Sequence, residues 1–438
     1  MSSSEPSVFA GLGDESRIDS LRIYLSNGKV LFKNNFAANR TISISDLKPF
    51  DDTRYTSDSR NPKSIQPLAA ANLGLDHKHN ENVFDDFEKE ILLPYKQSSI
   101  GPFVTTKDIN EDGHDDVIIS NSIGESISVF RQTKSGFERD PILSNQSAVN
   151  MECGAIEISD FNNDGKMDFV LPAGGNEKPD MDRMYKTRIL MSQNDASFMT
   201  LDLPLSSGSA KGALAFDYDM DGDQDLLIFK RQKGQHYPQH APSILYENNN
   251  GDFKDVTKEV FPALADFGII NDVQLTNLNG DEEPDLILVG EWTNIGLFKN
   301  NNARFENVNE EFDVPDERGL WFSIQELNLN NDNRPDFVIG NLGLNSKYKA
   351  THDKPLKIYG DDFDKNGTWD LVLSKSYKNE YVPLRGLECA SEQMPFIKEK
   401  FETYDMFAKS TLEDVYGEDI ENSYHKYVNT LALSLIHI

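Results

Sequence analysis

The chain has 438 residues, 38% hydrophobic and 10% aromatic, with 73 acidic against 43 basic side chains and a formal charge of −30. That length exceeds one ordinary core and asks for several domains or a repeat array, while the charge repels phosphate backbones and disfavours nucleic-acid binding. Two cysteines, Cys153 and Cys389, exclude a disulfide framework, and no apolar run is long enough to span a bilayer.

In chain order, residues 1–46 read as a small β module. Leu21, Ile23 and Tyr24 lead to an Asn27-Gly28 turn, which returns through Val30 and Leu31 as a hairpin. Met1 enters this module with neither a first strand nor an export signal, so the chain reads as a piece of a longer protein. Residues 47–70 are rich in Asp, Ser, Arg and Pro and read as a linker.

From residue 71 to 432 the pattern is a repeat. Six acidic loops begin at 108, 160, 217, 277, 328 and 362, with spacings of 52, 57, 60, 51 and 34. Four are well formed: Asp108, Asn110, Asp112 and Asp116; Asp160, Asn162, Asp164 and Asp168; Asp217, Asp219, Asp221 and Asp225; Asp362, Asp364, Asn366 and Asp370. Oxygen ligands at positions 1, 3, 5 and 9, with Gly113, Gly165, Gly222 or Gly367 at position 6, are the chemistry of a calcium loop. Backbone carbonyls at position 7 (His114, Lys166, Asp223 and Thr368) would complete each shell. An ordinary turn does not need three or four clustered carboxylates; a cation does. Two copies are degenerate: Asn277, Asn279, Asp281 and Asp285, then Asn328, Asn330, Asp332 and Asp336. They keep the frame but lose the glycine at position 6, and read either as weaker calcium sites or as turns held by side-chain hydrogen bonds.

These are not EF-hands, which need a bidentate Glu at position 12 and flanking helices. Position 12 here is Ile119, Leu171, Ile228, Leu288, Ile339 or Leu373. Each loop instead runs into a continuous apolar stretch, the signature of a strand buried on both faces. Asn-rich segments downstream, Asn248 to Gly251 and Asn300 to Asn302, mark hairpin turns. About four strands per period make the predicted fold all-β, a propeller of four-stranded blades with calcium-binding inter-strand loops. A calcium β-helix would need a short nonapeptide repeat, which is absent.

The loops resemble FG-GAP/VCBS-type repeats, the calcium-binding propeller repeats also found at the head of integrin α chains. The segment from Leu73 to Pro102, together with Gly290, Glu291, Trp292, Gly340, Gly343, Asn345 and the stretch from Leu384 to Asp414, resembles bacterial cell-surface VCBS proteins. The first module, with Gly11, Gly13, Asp14, Asp19, Leu21, Asn39 and Thr41, resembles the ASPIC/UnbV module. The resemblance implies an exported protein holding several structural Ca2+ ions, since such sites fill only where calcium is plentiful.

Near the C-terminus, apolar residues from Phe396 to Leu412 recur at helical spacing, which predicts a short helical insertion over 391–415. Leu433 to Ile438 equals the translation of a transposon-end sequencing adapter and is expected to be non-native. Catalytic signals are weak. His77 and His79 read as a polar turn before a metal site, and Pro238 forbids the helix that would align His236 with His240. Trp292, Trp321 and Trp369 fit either a sugar-stacking platform or buried core. Two functions stay open: an exported binding or adhesion scaffold for an extracellular protein or glycan, or a carbohydrate-active enzyme on the same frame.

Overall fold

The computed structural model describes residues 15–24, 30–43, 47–50, 70–141, 150–194, 197–329 and 334–437. It divides into two compact units, residues 1–69 and 70–438. In the first, β1 (Arg17–Tyr24), β2 (Val30–Ala37) and β3 (Lys48–Phe50) form one antiparallel sheet. The third strand lies where the linker was expected to start. The Asn27-Gly28 turn and residues 11–14 lie outside the described residues.

The second unit is all-β, mostly antiparallel four-stranded sheets with few helices. Its first three sheets are simple meanders. Sheet one is β4 (Val104–Lys107), β5 (Asp116–Ile119), β6 (Ser128–Thr133) and β7 (Gly136–Arg139). Sheet two is β8 (Glu157–Ser159), β9 (Asp168–Leu171), β10 (Arg188–Ser192) and β11 (Phe198–Asp202). Sheet three is β12 (Ala210–Phe216), β13 (Asp225–Lys230), β14 (Ile244–Asn249) and β15 (Asp252–Asp255). The β14–β15 hairpin turns on Asn250 and Gly251 with φ of 52° and 95°, the left-handed pair that a type I′ turn demands.

A fourth meander, β16 (Ile269–Thr276), β17 (Asp285–Thr293), β18 (Gly296–Asn300) and β19 (Phe305–Asn307), joins a fifth group through the far end of its inner strand β17. That group begins with β20 (Gly319–Leu327) and β21 (Asp336–Asn341). The sixth sheet is β22 (Leu356–Asp361), β23 (Asp370–Tyr377) and β24 (Glu380–Pro383), with β25 (Tyr424–Val428) on the free side of β22. Finally β26 (Ser434–His437), within the tail expected to be non-native, pairs antiparallel with β21.

The apolar runs after the loops are buried on both faces, and the two-residue period of a strand assigns each face to a different neighbour. In β9, Phe169 and Leu171 pack with Ile118 and Val129 of sheet one. Val170, between them, packs with Leu226 and Ile228 of sheet three. In β13, Leu227 and Phe229 pack with Leu286 and Leu288 of β17. The intervening Ile287 and Val289 pack with Ile324, Phe337 and Ile339 of the fifth group. One hydrophobic layer therefore lies between each consecutive pair of sheets from one to five. The sixth packs through Ile358, Leu371 and Leu373 onto Trp292, Leu320 and the leading segment residues Leu92 and Leu93. Among the described residues no hydrophobic cluster joins the first sheet to the sixth.

Instead the far face of the sixth sheet carries helices. The single amphipathic helix expected near 391–415 is four short ones: Leu387–Gln393, Phe396–Lys400, Tyr404–Ala408 and Leu412–Tyr416. The apolar spacing was legible, but local capping chops it. Thr403 accepts from Met406 N–H, and Thr411 forms a capping box with Asp414, so each restarts a helix before the last has run on. Ile397, Phe401, Phe407 and Leu412 nevertheless gather on Tyr359 and Val372 as one cluster.

Two asparagines read from sequence as turn residues are in fact staples between sheets. Asn248 Nδ2 donates to the Phe161 carbonyl (2.8 Å) and Asn300 Nδ2 to the Tyr218 carbonyl (2.7 Å), each in the loop of the preceding sheet. Both side chains are buried, so removing one leaves a carbonyl without its donor. Asn300→Ala is expected to lose about 1–3 kcal/mol in chemical denaturation, whereas Asn301→Ala, at an exposed neighbour, should stay within about 0.5 kcal/mol.

Candidate metal centres

Each acidic loop connects the first and second strands of its sheet, and its ninth residue is the first residue of the second strand. This aspartate is buried in every copy: Asp116, Asp168, Asp225, Asp285, Asp336 and Asp370 are at most 1% exposed. Its two oxygens tie three stretches of backbone. In sheet three, Asp225 Oδ2 accepts from Tyr218 N–H in the loop (2.9 Å), and Oδ1 accepts from Asn248 N–H on the third strand (2.8 Å). The same pair of bonds recurs at Asp116 with Ile109 and Gln132, at Asp168 with Phe161 and Ser192, and at Asp285 with Leu278 and Asn300.

Position 1 closes the turn. Asp108 takes the N–H groups of Asp112 (3.2 Å) and Gly113 (2.8 Å); Asp160, Asp217 and Asp362 do likewise with the residues four and five ahead. The glycine at position 6 has φ between 82° and 100° in these four loops, a region other side chains rarely enter. Position 5 is turned back within the loop: Asp112, Asp164, Asp221 and Asn366 each accept the N–H of position 7.

In two loops the carboxylates converge. Oxygens of Asp217, Asp219 and Asp225 lie within 4.8 Å of one another, as do those of Asp362, Asp364 and Asp370. One oxygen in each group is buried with no hydrogen-bond partner, Asp219 Oδ1 and Asp370 Oδ1. The Asp370 orphan has a topological cause. The β23–β24 pairing begins only at Ser374, so no third-strand amide reaches the aspartate. Burial pushes the carboxyls of Asp225 and Asp370 up to about 7, and that of Asp168 to about 6. Hard oxygen donors, a surplus of negative charge and an unanswered lone pair all suit a calcium-type cation.

The loops at 108 and 160 are less demanding. Position 3 is an amide, and Asn110 and Asn162 accept from Asp112 N–H (3.1 Å) and Asp164 N–H (3.2 Å). Lys166 Nζ already faces Asp164 at 3.1 Å. The 277 loop turns differently, with its glycine, Gly280, at position 4 donating its N–H to Asn277 (2.6 Å). Asn279 Oδ1 accepts from Asp281 N–H (3.1 Å), so the amides act as turn formers here. In the 328 loop, Asp336 accepts from Leu329 N–H (2.6 Å); Asn330 and Asp332 lie outside the described residues.

The other sequence candidates do not assemble. His77 bonds Ser128 and His79 bonds Glu81, while His236 packs at a tilt against Trp369 and His240 faces Asp266 at 3.8 Å. Trp292 and Trp321 are buried, and Trp369 donates to the Tyr237 carbonyl (2.7 Å), so the three form no exposed platform. Cys153 and Cys389 are both free thiols.

Sequence reasoning missed a buried polar interior at the far ends of the second strands. Arg231 pairs with Glu291 at 3.1 Å, with both side chains at 2% exposure or less. Tyr237 donates to Glu291 (2.7 Å) and receives Trp292 Nε1–H (2.6 Å); Tyr95 also donates to Glu291. A signal existed: Arg231 and Glu291 stand at the same offset past the ninth loop residue, where the apolar run gives way to a charge.

A family model for FG-GAP-like repeats matches residues 108–171, which hold the first two loops and the strands after them. No curated protein matches the chain. Among solved structures it is similar to an Agrocybe aegerita lectin that recognises non-reducing terminal N-acetylglucosamine. That likeness has 14% identity over 62% of this chain and 65% of the lectin, with a TM-score of 0.33. It is also similar to the exotype rhamnogalacturonan lyase YesX, at 12% identity over 64% of this chain and 54% of the lyase, with a TM-score of 0.36. The chain thus spans less than two thirds of either protein. Likenesses this distant carry no weight for function.

The clamp formed by the ninth residue makes a prediction that needs no metal. Asp285→Ala leaves the Leu278 and Asn300 N–H groups buried without acceptors, at about 1–3 kcal/mol each. Chemical denaturation with chelator present should therefore show a loss of about 2–6 kcal/mol.

Proposed function

We propose that residues 71–432 form a calcium-stabilised β-propeller of the FG-GAP/VCBS type, acting outside the cytosol as a binding or adhesion scaffold. The carrying observation is the pair of three-carboxylate groups, each with an unanswered buried oxygen, inside a repeated loop that joins adjacent strands. The FG-GAP-like match over 108–171 and the serial four-stranded meanders support the same reading. On it, residues 1–50, with β3 included, are an ASPIC/UnbV-like module joined to the propeller by a linker. Asp217, Asp219 and Asp225, with the Asp223 carbonyl, hold one ion. Asp362, Asp364 and Asp370, with the Thr368 carbonyl, hold another. The 108 and 160 loops hold weaker ones. The ion is structural: it neutralises like charges and fixes two strands of one sheet, and no proton transfer or bond cleavage is asked of it.

Carboxylates outside the loops favour binding over hydrolysis. The main cluster of them is buried, and three of its four acids are answered by protein donors, an arrangement that suits structure more than hydrolysis. An extracellular protein or a glycan, contacted through the loops at one end of the sheets, is the partner class proposed.

Thermal melting with and without chelator tests this, with bound calcium counted by mass spectrometry. About three to five ions per chain are expected. Each site held tenfold above its dissociation constant adds about 1.4 kcal/mol, so chelation should lower Tm by roughly 10 °C or more. Finding no ion would overturn the metal assignment; a melt indifferent to chelator would remove its structural role. Calcium affinity should also weaken as pH falls from 7.5 to 5.5, because protons then compete for Asp225 and Asp370. Asp219→Asn should remove one ion from the count while leaving the chelated protein's Tm within a few degrees, roughly the range of a surface substitution.

A further inference from the structure

Away from the loops, four carboxylates meet in the interior of the second unit. Asp86, Glu90, Glu152 and Glu177 are 0%, 1%, 3% and 8% exposed. Three of them are answered by donors. Asn176 Nδ2 gives hydrogen bonds to Asp86 Oδ1 (3.0 Å) and Glu90 Oε2 (2.9 Å). Ser98 N–H and Oγ–H donate to Asp86 Oδ2 (3.2 and 2.6 Å), and Tyr237 N–H donates to Glu90 Oε1 (2.9 Å). Glu177 accepts from Asn82 Nδ2 (3.1 Å) and Asn176 N–H (2.8 Å).

The fourth is not answered. Glu152 Oε2 is buried and has no hydrogen-bond partner. It shares a small space with Glu177 above Gly175. A Cβ built on that glycine would stand 3.3 Å from Glu152 Oε2 and 2.4 Å from Glu177 Oε2. The two oxygens thus converge over a residue, at φ +84°, whose missing side chain makes room for the Glu177 carboxylate. Arg231 does not answer it: one guanidinium nitrogen donates to Glu291 (3.1 Å) and Gln97 (2.6 Å), and the other two are buried with no hydrogen-bond partner.

We propose that Glu152 and Glu177 bind a hard divalent cation of the calcium class above Gly175, at a site distinct from the acidic loops. The donors are all oxygen, which selects calcium or manganese over softer ions. A buried, unpaired carboxylate is costly unless it is neutralised. A single shared proton would neutralise one acid; a divalent ion neutralises both, and Glu177 keeps its two amide donors. The residues come from the leading segment (Asn82, Asp86, Glu90, Ser98) and from the region around 152–177. Both proposed ligands belong to the 152–177 region, and the leading segment is tied to it by the Asn82–Glu177 and Asn176–Asp86 hydrogen bonds. This site does not depend on the loops holding metal.

The full chain, equilibrated with calcium and freed of unbound ion, is assayed for metal by plasma mass spectrometry. Glu152→Gln keeps the shape and removes the charge, and is expected to lower the count by one ion per chain. Crystals of the unaltered chain soaked in terbium are expected to show an anomalous peak between Glu152 and Glu177. An unchanged count in folded Glu152→Gln, or no peak between the two carboxylates, would overturn the proposal and leave a shared proton as the occupant. If Glu152→Gln does not fold, the terbium peak decides alone. Asp219→Asn reports separately on the loops: its ion disappearing while the Glu152 ion stays, or the reverse, tells the two assignments apart.

Discussion

A buried aspartate at the head of the second strand is the interaction on which the sheets depend. Its two oxygens accept backbone N–H groups from the loop before it and, in four sheets, from the third strand beyond it, so one side chain fixes the register of three segments. A residue without an acceptor there would leave two buried donors unpaired. An ionised one carries a desolvation cost, visible in carboxyls pushed to about 6 or 7 by burial. The acidic loop sits where a further positive charge would offset that cost. The clamp and the loop are two halves of one electrostatic arrangement, which is why they recur together.

Much of this was legible from the chain itself. The nine-residue frame is local, so its spacing survives in sequence, and the apolar run after it announces a strand with two buried faces. Phe169, Val170 and Leu171 bear this out by packing alternately toward different sheets. The helical stretch after Leu387 was legible only as apolar spacing. Its division into four pieces follows from caps at Thr403 and Thr411, which compete with continuation over single turns. The polar interior left only a faint trace, the charges of Arg231 and Glu291 where an apolar run ends, for a different reason. Asp86, Glu90, Asn176, Tyr237 and Glu291 come from four distant segments, and nothing in any one of them requires the others.

Asn248 and Asn300 show how a correct local reading can miss a larger role. Each stands beside a hairpin whose left-handed turn residues justify the turn assignment. Yet the same side chain reaches into the neighbouring sheet, while its backbone N–H meets the clamp aspartate. Registering a strand within its sheet and docking that sheet on the next are thus done by one residue. Sheets one and two use Gln132 and Ser192 at this position. There the clamp survives, but the only side-chain bond seen, Ser192 to the Met167 carbonyl, stays inside its own sheet.

The loops differ in how far they close without help, and that difference orders any metal they take. Where position 3 is Asn110 or Asn162, the amide oxygen already accepts a backbone N–H, and the loop is largely satisfied by its own chain. Where it is Asp219, the extra charge brings an oxygen with no donor into a pocket shared with Asp217 and Asp225. At the 362 loop the orphan moves to Asp370, because the short pairing of β24 withholds the third-strand amide. The energy a cation can contribute is greatest where the polypeptide leaves most charge uncompensated. The 217 and 362 loops should therefore fill first and matter most. At the 277 loop amides replace carboxylates and Gly280 carries the turn, so the fold itself already supplies what a metal would bring.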